Sequence, residues 1–313
     1  MRKPNYYGGF MPFKIEDALR YGFAWIEDRD SLKYILLNLA VQLATGAATI
    51  LLLLMFFQQY LSLLFMGEST SAAFLPLALD WQEFISKVIM FFAFLIPILI
   101  ISGVALAYVQ ALMVLFALRK KGLMPASFSF IKLIRLIIMG IAASLAALFY
   151  SFDKTFRVIQ WLSLFGSIVS ILLIRLSPLF IFLALPFLLI YIIIVIYNFL
   201  RLFITEPIFL HEELGIIETL KKSFEITQDE IWNVFLAALV LMVVSYILNQ
   251  LPLELLKYTV LPMLSSQPTL ALIVSSLVAI LLAPIFAMFN AFYKVGVYTE
   301  LLSLKKQSAT AGI

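Results

Sequence analysis

The chain has no cysteine and a single histidine, His211. Without cysteine there is no disulfide, no thiolate zinc or iron–sulfur ligation and no thiol nucleophile. One histidine excludes multi-histidine metal sites and most histidine-based acid–base arrangements. Charge is scarce as well: 13% of the 313 residues are Asp, Glu, Lys or Arg, and 64% are hydrophobic. An ordinary soluble domain is about 25% charged, so the excess apolar surface belongs in lipid. Stretches rich in Pro, Gly or Ser are missing too, so no linker is read and one membrane-embedded domain is expected.

Apolar runs long enough to cross a bilayer occupy 34–66, 84–118, 131–150, 158–174, 179–202, 231–248 and 270–298. The first begins too late and runs too long for a cleaved leader, so it is read as a retained span. Pro97 and Pro284 are the expected kink points of the longest runs. Cytoplasmic flanks collect Lys and Arg. If 158–174 does not cross, 17 of the 22 Lys and Arg fall on one side; if it crosses, 13 do. Six crossings with both termini cytoplasmic follow. Gln160, Ser163, Ser167 and Ser170 share one face of the excluded run, which is read as an interfacial helix near 158–176, lying in the outer interface or dipping in and out; the alternative is a true span whose small polar residues pack against neighbouring helices. The pI of about 9.1 then reports membrane sidedness rather than nucleic-acid binding.

Two short amphipathic helices are expected at the inner surface. In the first, Ile15, Leu19, Gly22, Phe23 and Ile26 share a face; in the second, near 213–227, Ile216, Leu220, Ser223, Phe224 and Thr227 do. The segments 15–23 and 216–224 align position by position, and each precedes a pair of long spans. A parallel internal repeat of surface helix plus hairpin is therefore expected, with 125–134 as a degenerate third copy. The expected organisation is a cytoplasmic segment 1–33, a six-helix transmembrane domain 34–302 and a cytoplasmic tail 303–313. The fold class is an all-α integral membrane protein with six long transmembrane helices and short interfacial ones.

The central parts of the six spans contain no Asp or Glu. Proton pumping and intramembrane proteolysis need an acid, a Ser–His pair or metal ligands there, so no catalytic, cofactor or metal site is expected. Gln42, Gln110 and Asn290 are the candidates for a polar cavity. Phe23, Phe224 and the cluster Arg119, Lys120 and Lys121 are the candidate membrane-surface contacts. His211 sits beside Glu212 and Glu213, but chain neighbours point in different directions, so 205–213 is read as a solvated approach to a helix.

From Glu206–Pro207 through Leu220–Lys221–Lys222–Ser223–Phe224 to Trp232–Asn233, the chain resembles the membrane domain attached to some glycerophosphodiester phosphodiesterases, and related multi-helix prokaryotic membrane proteins. The resemblance implies a six-helix membrane domain. It does not imply phosphodiesterase activity, which belongs to a separate barrel for which this chain has neither the length nor the residues. The expected role is thus a non-enzymatic, multi-pass cell-membrane protein. Its expected partners are membrane lipids, and a protein partner or a second copy of itself. The alternative is a permease-like protein for a neutral or lipid-like substrate.

Overall fold

A computed structural model describes residues 13–65, 81–125, 128–173, 177–260 and 268–310. Among them every regular element is a helix: α1 (Ile15–Phe23), α2 (Ser31–Phe65), α3 (Trp81–Lys120), α4 (Phe130–Phe149), α5 (Lys154–Leu173), α6 (Phe180–Arg201), α7 (Thr205–His211), α8 (Ile216–Ile226), α9 (Ile231–Ser245), α10 (Leu251–Thr259) and α11 (Pro268–Thr310). A π turn, Tyr246–Gln250, carries α9 into α10, so the run expected to stop at 248 continues to Thr259. Among the described residues, seven helical stretches are long and apolar enough to cross a membrane: Ser31–Phe57, Trp81–Lys120, Phe130–Phe149, Lys154–Leu173, Phe180–His211, Ile231–Thr259 and Val274–Gln307. The protein is an all-α multi-span membrane protein.

Pro97 and Pro284 lie inside the continuous helices α3 and α11, and Pro186 inside α6. The expected tail is helical as far as Thr310, because Leu301 and Leu304 are buried and keep that stretch packed. Residues 1–12 of the expected N-terminal segment, 174–176 of the expected interfacial helix and 311–313 of the tail lie outside the described residues. The end of α3 is set by Gly122, whose φ of 76° is open to glycine without strain, while the Leu123 N–H returns to the Leu118 carbonyl at 3.0 Å.

The chain groups into two compact units. One comprises Met1–Trp25, Val114–Met242 and Asn290–Ile313; the other comprises Ile26–Met113 and Val243–Phe289. α3, α9 and α11 contribute residues to both, so no linker composition marks the boundary. In the second unit α2 and α3 pair through aromatic contacts: the Phe57 ring lies 5.3 Å from Phe91 and Phe56 lies 6.0 Å from Phe94. Deeper along the same pair, the Thr45 and Ser102 hydroxyls lie 2.7 Å apart, and Thr45 Oγ1 is also 2.8 Å from the Val41 carbonyl of its own helix. With Thr45 donating to that carbonyl, Ser102 can donate to Thr45 across the pair.

In the first unit α5 and α6 form an antiparallel hairpin, in register over the whole of α5. Phe156 near its start stacks on Tyr197 at 4.6 Å, and Gly166 at its middle lies against Phe187, where a Cβ would come within 2.7 Å of the ring. Gln160, Ser163, Ser167 and Ser170 are buried, while Val158, Leu162, Phe165, Val169 and Leu172 are exposed. A helix lying in the outer interface would show water its polar stripe and bury its apolar face, the reverse of the burial found here. The serines instead satisfy carbonyls of their own helix, Ser163 that of Gln160 and Ser167 that of Ser163. The side they face is protein.

Gln160 has a further task. Its amide donates to the carbonyls of Ala147 at 3.1 Å and Leu148 at 2.7 Å, and its oxygen accepts the Ser151 N–H at 3.1 Å. Tyr191 donates to Leu148 O and Asn198 to Ala147 O. Side chains of α5 and α6 thus terminate α4, whose last carbonyls have no further turn of helix to bond. Two substitutions test this joint by unfolding of the purified protein in detergent. Gln160→Leu leaves buried carbonyls short of donors and is expected to cost about 1–3 kcal/mol; Gly166→Leu forces the Phe187 ring aside and is expected to cost about as much by overpacking. Wild-type stability in both would remove the joint from the account.

Candidate functional site

The charged and polar side chains of the first unit gather where α6, α7 and α8 meet. Arg201, the last residue of α6, is 6% exposed. Its Nε donates to Thr227 Oγ1 at 3.0 Å, one terminal nitrogen to the Tyr197 hydroxyl and the other to the Phe224 carbonyl. The guanidinium carbon lies 5.3 Å from the centre of the Tyr197 ring and 4.8 Å from that of Phe224. Its backbone carbonyl accepts the Ser223 hydroxyl at 2.6 Å. α8 is therefore pinned to the end of α6 through one residue, by its charged head and its main chain together.

α8 starts cleanly because the Glu218 carboxylate accepts the Gly215 N–H at 3.0 Å. Its apolar face, as read from the sequence, is its packed face: Leu220 and Phe224 are buried with Ala146, Ala147 and Leu202. The correction concerns what that face meets. Phe224 was expected at the membrane surface, yet it is 5% exposed and its ring lies 4.9 Å from Phe152. Its partners are Ala146 and Ala147 at the end of α4 and Leu202, small and apolar groups that admit the ring, while Ser223 beside it bonds the Arg201 carbonyl.

Phe23, its counterpart in the alignment, is exposed. α1 turns a different face inward, formed by Ala18, Gly22 and Tyr21, because small residues permit the closest approach. A Cβ on Gly296 of α11 would lie 3.1 Å from Ala18 Cα and from its carbonyl oxygen. The Tyr21 ring is 5.3 Å from Phe292, and its hydroxyl donates to the Ala117 carbonyl. Burial raises the Tyr21 phenol well above its ordinary pKa. Under the alignment the buried small pairs correspond, Ala18 and Gly22 with Thr219 and Ser223.

Arg119, Lys120 and Lys121 are exposed at the end of α3, with the Lys121 ammonium 4.5 Å from the Tyr21 ring and the Lys120 ammonium 5.7 Å from the Phe116 ring. The three amides proposed for one polar cavity are divided between the units, Gln42 and Gln110 in one and Asn290 in the other. Gln42 donates to Asn38 Oδ1 at 2.5 Å. The Gln110 amide nitrogen and the Asn290 amide oxygen are buried without a hydrogen-bond partner.

A second cluster was not visible in the sequence. His211 and Glu212, read as diverging neighbours, both reach Tyr298 of α11, His211 Nδ1 at 2.9 Å and Glu212 Oε1 at 3.1 Å from the phenolic oxygen. As the hydroxyl proton points to Glu212, Nδ1 carries the proton that completes the His211 contact. The other oxygen of Glu212 pairs with Lys222 of α8. Nearby, Lys294 pairs with Glu206 at 3.6 Å. The only sequence signal was the density of polar residues in 205–213; the partner lies 87 residues away.

Two polar cavities flank this assembly. One of 490 Å3 is lined by Arg201, Lys221, Asp153, Glu225 and Tyr197 among others. The other, of 430 Å3, is lined by Lys132 and Arg135 of α4 facing Glu212 and Glu213. No group of three or more metal-ligating side chains occurs among the described residues. Comparison with protein-family models, with curated proteins and with solved structures finds no match to this chain.

Tyr298→Phe removes the shared hydroxyl while keeping the ring. The expected result is a loss of about 1–2 kcal/mol in unfolding free energy, with Glu212→Gln in the Tyr298→Phe background costing less than it does alone. Additive costs would show that the Tyr298 hydroxyl and the Glu212 carboxylate do not act together.

Proposed function

We propose that this chain is a non-enzymatic membrane protein that binds or organises lipid at the inner membrane surface, through the polar assembly where α4, α6, α7 and α8 meet. The observation that carries the reading is the placement of cation-lined cavities at the end of helices whose exposed faces are apolar. Arg201 and Lys221 line one cavity, Lys132 and Arg135 the other, while Phe182, Leu185, Leu189, Ile193 and Ile196 stay exposed along α6. Lipid tails suit such faces, and headgroups suit such cavities. The resemblance of 206–233 to the membrane domain of glycerophosphodiester phosphodiesterase-like proteins agrees with a role in the bilayer without a reaction of its own.

The hairpin of α5 and α6 also gives a better topology than the one read from the sequence. With α5 crossing beside α6, α4 is free to lie at the inner surface, where Lys132 sits 6.0 Å from the Phe209 ring of α7. The number of crossings stays at six: α2, α3, α5, α6, α9 with α10, and α11. Only Lys87, Arg175 and Lys257 then fall outside, leaving 19 of the 22 Lys and Arg inside, a stronger bias than the 17 obtained with α4 crossing. α4 also becomes a third surface helix preceding a third hairpin. Both termini remain cytoplasmic.

Cysteines introduced singly at Asp153, Ser177 and Lys306 test this arrangement with a membrane-impermeant thiol reagent on intact cells. Labelling at Ser177 alone is expected. Labelling at Asp153 would restore α4 as the crossing helix, and labelling at Lys306 would require an odd number of crossings. For the function, direct extraction into native-membrane nanodiscs followed by mass spectrometry is expected to find one lipid or one protein retained at near-stoichiometric amounts. Recovery of bulk lipid alone would overturn the organising role.

The permease reading has one observation in its favour, the unpartnered amide atoms of Gln110 and Asn290, since a polar solute can satisfy buried groups that the protein leaves open. Flux of a neutral solute in sealed liposomes, lost in Gln110→Leu or Asn290→Leu, would put it first.

A further inference from the structure

Arg201 is a buried cation with no carboxylate among its partners. Its three hydrogen bonds go to a threonine hydroxyl, a tyrosine hydroxyl and a main-chain carbonyl. A guanidinium carries five N–H donors in a planar fork, so two remain, and the groups in direct contact with the charge are neutral oxygens, two aromatic rings and the carbonyl end of α6. Leaving a charge out of water without a counter-ion is costly. The side chain lines the cavity of 490 Å3, where an anion would complete both its charge and its donors.

The other charged groups of that cavity narrow the choice of anion. Lys221 is a second cation, exposed on α8. Asp153 and Glu225 are exposed carboxylates, and Asp153 Oδ1 is already engaged by the Thr155 N–H at 2.8 Å. The lining is therefore two positive and two negative groups, which disfavours a strongly anionic ligand and matches one that bears both signs. The choice of source follows from the helices that reach the cavity: Tyr197 of α6 lines it, and Ile193 and Ile196, within one turn of Tyr197, are exposed apolar residues, as is Val158 of α5, surfaces suited to acyl chains.

Resting on the lipid-binding reading above, we infer that the cavity beside Arg201 holds the headgroup of an amine-bearing phospholipid, with the phosphate bound by Arg201 and Lys221 and the ammonium by Asp153 and Glu225. The fork of Arg201 suits two phosphate oxygens at once.

The test uses the full chain in nanodiscs of phosphatidylethanolamine and phosphatidylglycerol in equal amounts, with retained lipid read by native mass spectrometry. Preferential retention of phosphatidylethanolamine by about tenfold is expected, a difference of about 1.4 kcal/mol. Arg201→Gln is expected to abolish retention. Because that change also unpins α8, a second variant leaves the Arg201 contacts intact: Asp153→Asn with Glu225→Gln is expected to shift retention toward phosphatidylglycerol. Equal retention of both lipids by the unaltered protein, or an unchanged ratio in the double variant, would overturn the assignment. Stabilisation of the detergent-solubilised protein by soluble glycerophosphoethanolamine, without retention of lipid, would move the source from the membrane to solution and overturn it also. If the defined nanodiscs show no preference while native nanodiscs still retain one lipid or partner, this site falls and the broader lipid-organising reading stands.

Discussion

A helix that ends away from bulk water leaves carbonyls that something must bond, and in the first unit the end of α4 sets the positions of its neighbours. The carbonyls of Ala147 and Leu148 are met by Gln160 from α5 and by Tyr191 and Asn198 from α6. Those bonds fix where α5 begins, which turn of α6 stands beside it, and hence where α6 reaches Arg201. The same turn of α4 supplies Ala146 and Ala147 to the apolar cluster that receives Leu220 and Phe224. Polar satisfaction and apolar packing act on one place, so the position of α8 depends on the capping of α4 although no cap residue belongs to α8.

This dependence explains what the sequence made legible. The helical class and the seven long apolar helical stretches among the described residues follow from long apolar runs, which need no knowledge of neighbours. The packed face of α8 was readable because its apolar residues and its small polar residues lie on the same side. The packed face of α1 was not, since Ala18 and Gly22 are weak hydrophobic signals and owe their burial to the bare backbone of Gly296. For α5 the periodicity was correct and its meaning reversed. A stripe of Gln and Ser has the same spacing whether it faces water or a neighbouring helix, and only the partner decides. In a lipid-facing helix the usual sense of amphipathicity inverts, because the apolar side already has its solvent.

The site was less legible than the fold for a related reason. His211, Glu212 and Tyr298 are joined by geometry that no local window contains, and Arg201 looked like any basic residue at the cytoplasmic end of a span. What separates it from Arg119, Lys120 and Lys121 is burial. Those three are exposed, and two of them rest on aromatic rings, where a hydrated charge loses little. The Arg201 guanidinium lies between two rings with its charge turned into a cavity. Composition and spacing count both kinds alike, and topology rules use them alike.

Arginine at this position also has a chemical reason. A lysine would have one ammonium to divide among Thr227, Tyr197 and the Phe224 carbonyl, and its strongly hydrated charge would draw away from a buried seat. The guanidinium makes the three bonds with separate nitrogens, lies close to two aromatic rings and keeps donors in reserve. One side chain can therefore close the joint between α6 and α8 and still present positive charge to the cavity. A purely structural joint could be built from neutral groups, as the end of α4 is with Gln160, Tyr191 and Asn198. The use of a charge here, beside Lys221 and two carboxylates, sets this joint apart from the neutral one at the end of α4.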